Sequence, residues 1–331
     1  APERRGDAQP RRSGARGPPL TASRFAAIDI GTNTVLLTVA EARGPALAPL
    51  LERATITRLG AGVDRTRRLA DDACARTLAC LRDYAAELRR AEVTELDVVG
   101  TSALRDALGG EALCAAAAEV LGVRPRVISG EEEARLTFAG SLLGLDVAGE
   151  VLVVDVGGGS TELITGTRHR DQAMVEVALS LDVGSVRLFE RHLRSDPPLP
   201  AELAQARDAV RSALAEVAPP STRRPLIGVA GTVTTLAAVA QRLDPYDGAR
   251  VHGSSLDRAE VTRLLGELGA MPLDRRARVP GLEPARADVI LTGGVVVEAV
   301  MEWAGAERLV VSDRGVRWGL LAALRARTSP M

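Results

Sequence analysis

Lysine is absent from this 331-residue chain, so every fixed cation is an arginine. Because alanine and arginine are abundant, the missing lysine reads as a codon-composition bias rather than a functional feature. Charge of one sign is also lacking. Lys+Arg total 42 against Asp+Glu 43, a formal net charge of −1, which argues against the broad basic face that nucleic-acid binding needs. A local anion site is not excluded by that balance. Aromatic residues make up only 2%, too few for a base-stacking platform. Cys74, Cys80 and Cys114 have no paired metal spacing, and three thiols cannot complete a disulfide set. His169, His192 and His252 share no ligand spacing either; His252, in Val251-His-Gly, is the histidine expected nearest a substrate. No run of apolar residues is long enough to span a membrane. The stretch from Ala1 to Ser23 is rich in Arg, Pro and Gly without the apolar middle of a secretory signal, so residues 1–23 read as a flexible tail. These absences predict a soluble cytoplasmic protein with no nucleic-acid or membrane partner. Its 46% hydrophobic content is enough for a well-packed core.

What is present is organised around small-residue turns. Phe25-Ala-Ala-Ile-Asp-Ile-Gly-Thr-Asn-Thr, continuing Val-Leu-Leu-Thr-Val-Ala, reads as two apolar strands joined by a polar bend at Gly31 and Asn33. Asp71 to Arg90 places Leu78, Leu81, Ala85 and Leu88 at helical spacing and ends in Arg89 and Arg90, which suit a helix C-terminus. Leu96 to Gly100 reads as a buried strand, Thr101-Ser-Ala-Leu-Arg-Asp opens a helix, and Ala112 to Leu121 forms another before a short strand ending at Ile128. Val151-Leu-Val-Val-Asp-Val-Gly-Gly-Gly-Ser-Thr-Glu-Leu-Ile then repeats the first pattern: apolar strand, Asp, glycine and hydroxyl turn, returning strand. The echo predicts an internal duplication with one copy per domain. Helices are predicted near Val186 to Leu193, over Pro200 to Ala215, over Ala287 to Trp303 with Gly293 and Gly294 inside, and over Arg314 to Arg325. Leu226-Ile-Gly-Val-Ala-Gly-Thr runs a strand into a helix, and Leu309-Val-Val-Ser is a strand. Alternating strands and helices with hairpins at the domain starts predict an α/β fold with mixed sheets.

The same turns carry the chemistry. Glycines let consecutive backbone N–H groups point into one concavity, and hydroxyls add donors, a geometry that binds phosphate without lysine. The candidate phosphate ligands are Gly31, Thr32, Asn33 and Thr34; Gly157, Gly158, Gly159, Ser160 and Thr161; and Gly231 with Thr232. Asp29 and Asp155 end strands beside these loops, where a carboxylate would repel phosphate unless a hard divalent cation such as Mg²⁺ lay between them. Glu162 could join such a site through water; the other reading is that each Asp caps its own turn. In Ser129-Gly-Glu-Glu-Glu-Ala-Arg-Leu, Ser129 as N-cap gives Glu132 a capping-box position, and Glu131 suits the helix dipole. Glu133 has neither role, and a crowded carboxylate with raised proton affinity suits a general base activating water; a solvated helix face is the alternative. Arg105 could stabilise a transferring phosphoryl group, or could pair at the surface with Asp106 or Glu111. The runs Arg65-Thr-Arg-Arg and Arg275-Arg-Ala-Arg read as solvated faces.

Asp29-Ile-Gly-Thr-Asn-Thr, Thr101-Ser-Ala-Leu-Arg-Asp-Ala, Ser129-Gly-Glu-Glu-Glu-Ala-Arg-Leu, Asp155-Val-Gly-Gly-Gly-Ser-Thr-Glu and Ser312-Asp-Arg-Gly-Val-Arg-Trp-Gly together resemble the exopolyphosphatase / guanosine-pentaphosphate phosphohydrolase (Ppx/GppA) family. The resemblance covers nearly everything from Phe25 onward. It implies two ribonuclease-H-like domains of the actin, sugar kinase and heat-shock ATPase superfamily, facing each other across a cleft. The expected division is 24–129 plus 313–331 for domain I and 130–312 for domain II. By the same resemblance Glu133 is the catalytic glutamate, Arg105 the conserved arginine, Asp155 the metal carboxylate, and residues 31–34 and 157–161 the phosphate loops. It further implies a homodimer. Longer members continue into additional modules that are not seen here, so short or medium polyphosphate chains are the expected substrates. The reading is a Mg²⁺-dependent exopolyphosphatase. The alternatives are hydrolysis of guanosine pentaphosphate, a kinase of the same fold, and a non-catalytic sensor of phosphorylated nucleotides.

Overall fold

The computed structural model describes residues 23–44, 46–169 and 172–328, so the segment expected as a tail lies, apart from Ser23, outside the described residues. The first half contains β1 (Arg24–Ile30), β2 (Thr34–Arg43), β3 (Ala46–Ile56), α1 (Val63–Thr66), α2 (Asp71–Arg90), β4 (Glu95–Gly100), α3 (Ser102–Asp106), α4 (Gly110–Leu121), β5 (Arg126–Val127) and α5 (Gly130–Ser141). Its five strands form one sheet in the order β3-β2-β1-β4-β5, antiparallel through the first hairpins and parallel from β1 to β5. Central β1 and β4 are buried on both faces, hence their nearly continuous apolar sequence. One face is covered by α2 and α4 through Leu81, Tyr84, Leu88, Leu113 and Ala117.

The second half contains β6 (Gly149–Val156), β7 (Thr161–His169), β8 (Gln172–Leu181), α6 (Ser185–His192), α7 (Pro200–Ala215), β9 (Leu226–Val229), α8 (Ala230–Ala240), α9 (Gly248–Val251), β10 (Ser255–Asp257), α10 (Arg258–Gly269), α11 (Leu273–Arg276), a 3-10 turn (Pro284–Arg286), α12 (Ile290–Trp303), β11 (Arg308–Val311) and α13 (Val316–Thr328). The sheet order is β10-β11-β9-β6-β7-β8. Read from the other edge it repeats the first sheet strand for strand, with β10 added antiparallel beside β11. Even the irregularities repeat. The β2–β3 ladder shifts register between Val39 and Ala40, and the β7–β8 ladder between Thr165 and Gly166, at the same distance beyond Asp29 and Asp155. With α13 assigned to the first sheet and α5 to the second, on which they pack, each half is a ribonuclease-H-like domain.

Two helices lie between the sheets. Phe25, Ala27, Val99 and Ile128 of the first sheet's other face pack on Trp318, Leu320, Leu321 and Leu324 of α13. Ala134, Phe138 and Leu142, from α5 and its end, pack on Val151, Val153, Ile164 and Val229 of the second sheet. The helices touch each other through glycines. A Cβ on Gly140 would meet the Gly315 carbonyl at 2.2 Å, and one on Gly319 the Leu136 carbonyl at 2.2 Å.

Several sequence expectations need correcting. The third strands, β3 and β8, and helix α10 were not anticipated, α12 begins at Ile290 rather than Ala287, and α13 begins at Val316 rather than Arg314. Arg276 is not a solvated residue. It is 2% exposed, and its guanidinium donates to the carbonyls of Leu268, Met271 and Ala287, tying α10 to the start of α12.

Candidate active site

Both hairpin loops are built by the same backbone device. Gly31 N–H donates to the Thr34 carbonyl at 3.1 Å and Gly157 N–H to the Ser160 carbonyl at 3.0 Å, closing each turn. The loop carbonyls are then held from behind. The Thr32 carbonyl accepts from Gly60 N–H, and the Asn33 carbonyl from Thr57 and Arg58 N–H. The Gly157 carbonyl accepts from Ser185 N–H, the Gly158 carbonyl from Val186 and Arg187 N–H, and the Gly159 carbonyl from Arg187 Nε at 2.6 Å. In a trans peptide the next N–H points opposite to the carbonyl. The amides of Asn33 and Thr34, and of Gly158, Gly159 and Ser160, are therefore turned away from their clamps, toward the cleft. The two loops face each other, with Gly158 close to the Thr32 and Asn33 side chains.

The cleft between them has a volume of about 700 Å³ and is lined by Asp29, Glu133, Asp155 and Glu162 among other residues. The three consecutive glutamates at the start of α5 diverge. Glu131 is 79% exposed and lies 3.6 Å from Arg135, whereas Glu132 accepts from Arg126 at 2.9 Å while its N–H donates to the Ser129 cap. The Glu133 side chain is only 15% exposed and accepts from Arg105 at 3.0 Å. Arg105 also donates to the Ile128 carbonyl at 3.1 Å and lies 3.4 Å from Asp106. Burial pushes the Glu133 carboxyl up despite Arg105. Burial, then the charge of Glu133, raises Asp29 to about 7; burial with Glu133 and Asp29 raises Asp155 to about 7. Glu162, buried beside Asp155 and Glu133, is raised to about 8 although Ser160 and Ser180 donate to it at 2.7 and 2.9 Å.

These four carboxylates perturb one another, so they form one electrostatic cluster. Asp29 Oδ1 is buried and accepts no hydrogen bond, so Asp29 does not cap its own turn. Among the described residues no three His, Cys, Asp or Glu side chains converge to cage an ion by themselves. Mg²⁺ needs only one or two carboxylates and completes its shell with water and substrate phosphates. An orphaned buried oxygen beside a raised carboxylate is the donor set such an ion would complete.

Not every predicted ligand faces the cleft. Thr161 is fully buried and its hydroxyl donates to the Val183 carbonyl, so its side chain serves the fold, not a phosphate. Gly159 and Arg105 do not line the cavity wall. Gly231 and Thr232 do, at the start of α8, where Ala230 adopts a left-handed φ of 68°. His252 is a structural joint. Asp313 N–H donates to its Nδ1 at 3.3 Å, which leaves Nε2–H for the Leu143 carbonyl at 3.0 Å. One residue went unanticipated: Arg286, from the 3-10 turn. Its guanidinium lies against Gly231, where a Cβ would collide with it at 2.1 Å, and donates across the cleft to Thr34 Oγ1 at 3.2 Å. Burial lowers its proton affinity. No local sequence signal marks it, because its partner lies in the other domain.

Two duplicated ribonuclease-H-like domains that present glycine loops to each other across an acidic cleft define a member of the actin, sugar kinase and heat-shock ATPase superfamily. Within it, the chain belongs to the Ppx/GppA phosphatase family, whose model matches residues 38–327. It is 39% identical over 323 residues to exopolyphosphatase 2 of Mycobacterium tuberculosis, covering 92% of this chain and 99% of that one. Its structure is similar to the Aquifex aeolicus Ppx/GppA family member (TM-score 0.78, 32% identity, 93% and 99% of the two chains). It is also similar to an exopolyphosphatase-like protein (TM-score 0.83, 32% identity, 93% and 99%).

Proposed function

We propose that this protein is an exopolyphosphatase that releases terminal orthophosphate from inorganic polyphosphate of short or medium length. The observation that carries the reading is the pairing of two facing amide nests with an enclosed carboxylate cluster, in which Glu133 is paired with Arg105. Glu133 takes a proton from water as the water oxygen bonds to the terminal phosphorus. The bond from that phosphorus to the bridging oxygen breaks, and the shortened chain leaves. Arg105 orients Glu133 and sets a positive charge beside the transferring group. Amides of Asn33, Thr34, Gly158 and Ser160, the Thr32 and Ser102 hydroxyls (2.8 Å apart) and Arg286 bind phosphate oxygens. Asp155 is the principal carboxylate for Mg²⁺, with Asp29 and Glu162 beside it. Bound there, the ion neutralises charge on the phosphoryl oxygens.

One feature favours guanosine pentaphosphate as a second reading. The cleft lining also includes Leu36, Leu243, Tyr246 and Leu282, apolar side chains that suit a nucleoside better than a polyanion. Phosphate release from polyphosphates of defined length and from guanosine pentaphosphate, assayed in parallel with Mg²⁺ and with Glu133→Gln as control, separates the two. Faster release from polyphosphate, lost in the variant, is the expected result; equal activity in the variant would exclude Glu133 as the base. The free thiols of Cys74, Cys80 and Cys114 suit a cytoplasmic enzyme, and no helix among the described residues is long and apolar enough to cross a membrane. We take 24–129 with 313–331 and 130–312 as the two bodies of a homodimer's protomer, a state that light scattering measures directly.

A further inference from the structure

The segments that clamp the two loops from behind each send an arginine into the opposite domain. Arg187, whose N–H and Nε hold the Gly158 and Gly159 carbonyls, extends its guanidinium to Asp64 of α1 in the first half. Arg191, one helical turn further along α6, grips the same carboxylate as a fork, Nε to Oδ2 and Nη2 to Oδ1, both at 2.8 Å. Glu190 accepts from Gly62 N–H at 3.0 Å alongside. In the reciprocal direction Arg58, whose N–H holds the Asn33 carbonyl, pairs with Asp288 at 2.8 Å and donates to the Ala285 carbonyl at 2.9 Å. Asp64 is 20% exposed and Arg187 17%, so the first clasp is shielded enough to exceed an ordinary surface pair. None of these groups belongs to the carboxylate cluster.

We infer that Asp64, Arg187 and Arg191 form a clasp that couples closure of the cleft to the orientation of the second glycine loop, with Arg187 as a positioning residue. When the domains part, Asp64 leaves, and only the exposed Asp182, 3.5 Å from Nη2, is left to hold the Arg187 guanidinium on the Gly159 carbonyl. The Gly159–Ser160 peptide then loses the contact that turns its N–H to the cleft. Closure and anion-nest geometry are thereby one event. The idea deepens the phosphatase reading and takes its kinetic arm from it.

The variants separate the two contacts. Asp64→Asn and Arg191→Ala weaken the clasp and leave the Gly159 contact in place, so the closed fraction falls and KM for polyphosphate rises about tenfold, with kcat within about twofold of wild type. Arg187→Met removes both contacts, raising KM and lowering kcat together. Small-angle scattering of the protein without substrate gives a larger radius of gyration for Asp64→Asn than for wild type. In a Glu133→Gln background, saturating tripolyphosphate brings that radius back. Wild-type KM and radius in Asp64→Asn overturn the clasp, and a changed radius with unchanged KM overturns the coupling. If wild-type protein releases no phosphate from polyphosphate, the functional reading has failed instead, and the radius alone decides whether the clasp exists.

Discussion

The two halves share a sheet order, a bulge position and a loop closure, and differ in what they place on that frame. Opposite Asp29 in the first hairpin stands Leu36, with Ala54 beyond it; opposite Asp155 in the second stands Glu162, with Ser180 beyond it. The first loop carries side chains at Thr32, Asn33 and Thr34, where the second has Gly158, Gly159 and Ser160. Backbone amides supply an anion nest in both halves, because that property follows from turn geometry and survives almost any change of sequence. The carboxylates proposed to react gather on the second half's side, where the glutamate-bearing start of α5 meets Asp155. Duplication produced the binding device twice, and side-chain divergence placed the chemistry once.

The sharpest way to break this asymmetry is Glu133→Gln, which keeps shape and the contact with Arg105 but removes the proton acceptor. A loss of about 10²–10⁴ in kcat is expected for a general base, with the protein folded and KM little changed. Glu131→Gln, the same change two residues away on a solvated side chain, should leave kcat as it is. Equal losses in both would return the three glutamates to equivalence. A smaller effect tests the hairpins themselves. Glu162→Leu makes the second half resemble the first, and should cost about 10–100-fold in kcat/KM through weaker cation retention, seen as a raised Mg²⁺ requirement. Leu36→Glu, the opposite exchange, should give no gain, because Asp155 already has Glu162 opposite it in the second hairpin.

How much of this was legible beforehand depended on range along the chain. The loops announce themselves, since Asp29-Ile-Gly and Asp155-Val-Gly end apolar strands at once. The α5 cap was readable too, and Ser129 does receive the Glu132 N–H. Among the three glutamates, the roles of Glu131 and Glu132 and the family motif already singled out Glu133; its burial and the reach of Arg105, 28 residues earlier, are what the structure adds. Strands β3 and β8 escaped notice because both are edge strands, mostly exposed, with no alternation of apolar and polar residues. Arg286 meets Thr34 across 252 residues of sequence, beyond any local pattern. Asn33, among the predicted loop ligands, is also the chain's single asparagine.

The helices between the sheets offer a comparison in stability rather than activity. Gly140 of α5 and Gly319 of α13 each lie against the other helix's backbone, so Gly140→Ala and Gly319→Ala should both force the pair apart. Overpacking of that kind amounts to about 1–3 kcal/mol, or a Tm lower by about 2–5 °C. If the contact is the pivot on which the halves sit, the double variant should be less harmful than the sum, since the first methyl has already opened the space. Additive losses in calorimetry would mean that two separate sites had been disturbed.

The smallest effect expected is one of ionisation. Asp29, Asp155 and Glu162 have folded-state values raised to about 7, 7 and 8, above their ordinary values, so the native state holds protons that the unfolded chain gives up earlier. For cation-free protein that contribution to stability is fully present at pH below the ordinary carboxylate range and is lost as pH rises through 7 to 8. Mg²⁺ competes with those protons, so its affinity should climb over the same interval. Added Mg²⁺ should therefore raise Tm more at pH 8.5 than at pH 6, by about 2 °C if affinity changes roughly tenfold. Glu162→Leu should flatten the metal-free pH profile above 7 and shrink the Mg²⁺ gain, whereas Leu36→Ala in the first half should do neither. Calorimetry at the two pH values, with chelator and with Mg²⁺, measures all four quantities. A Mg²⁺ gain that is equal at both pH values, or that survives intact in Glu162→Leu, would place the cation away from the second hairpin and would remove the chemical half of the asymmetry.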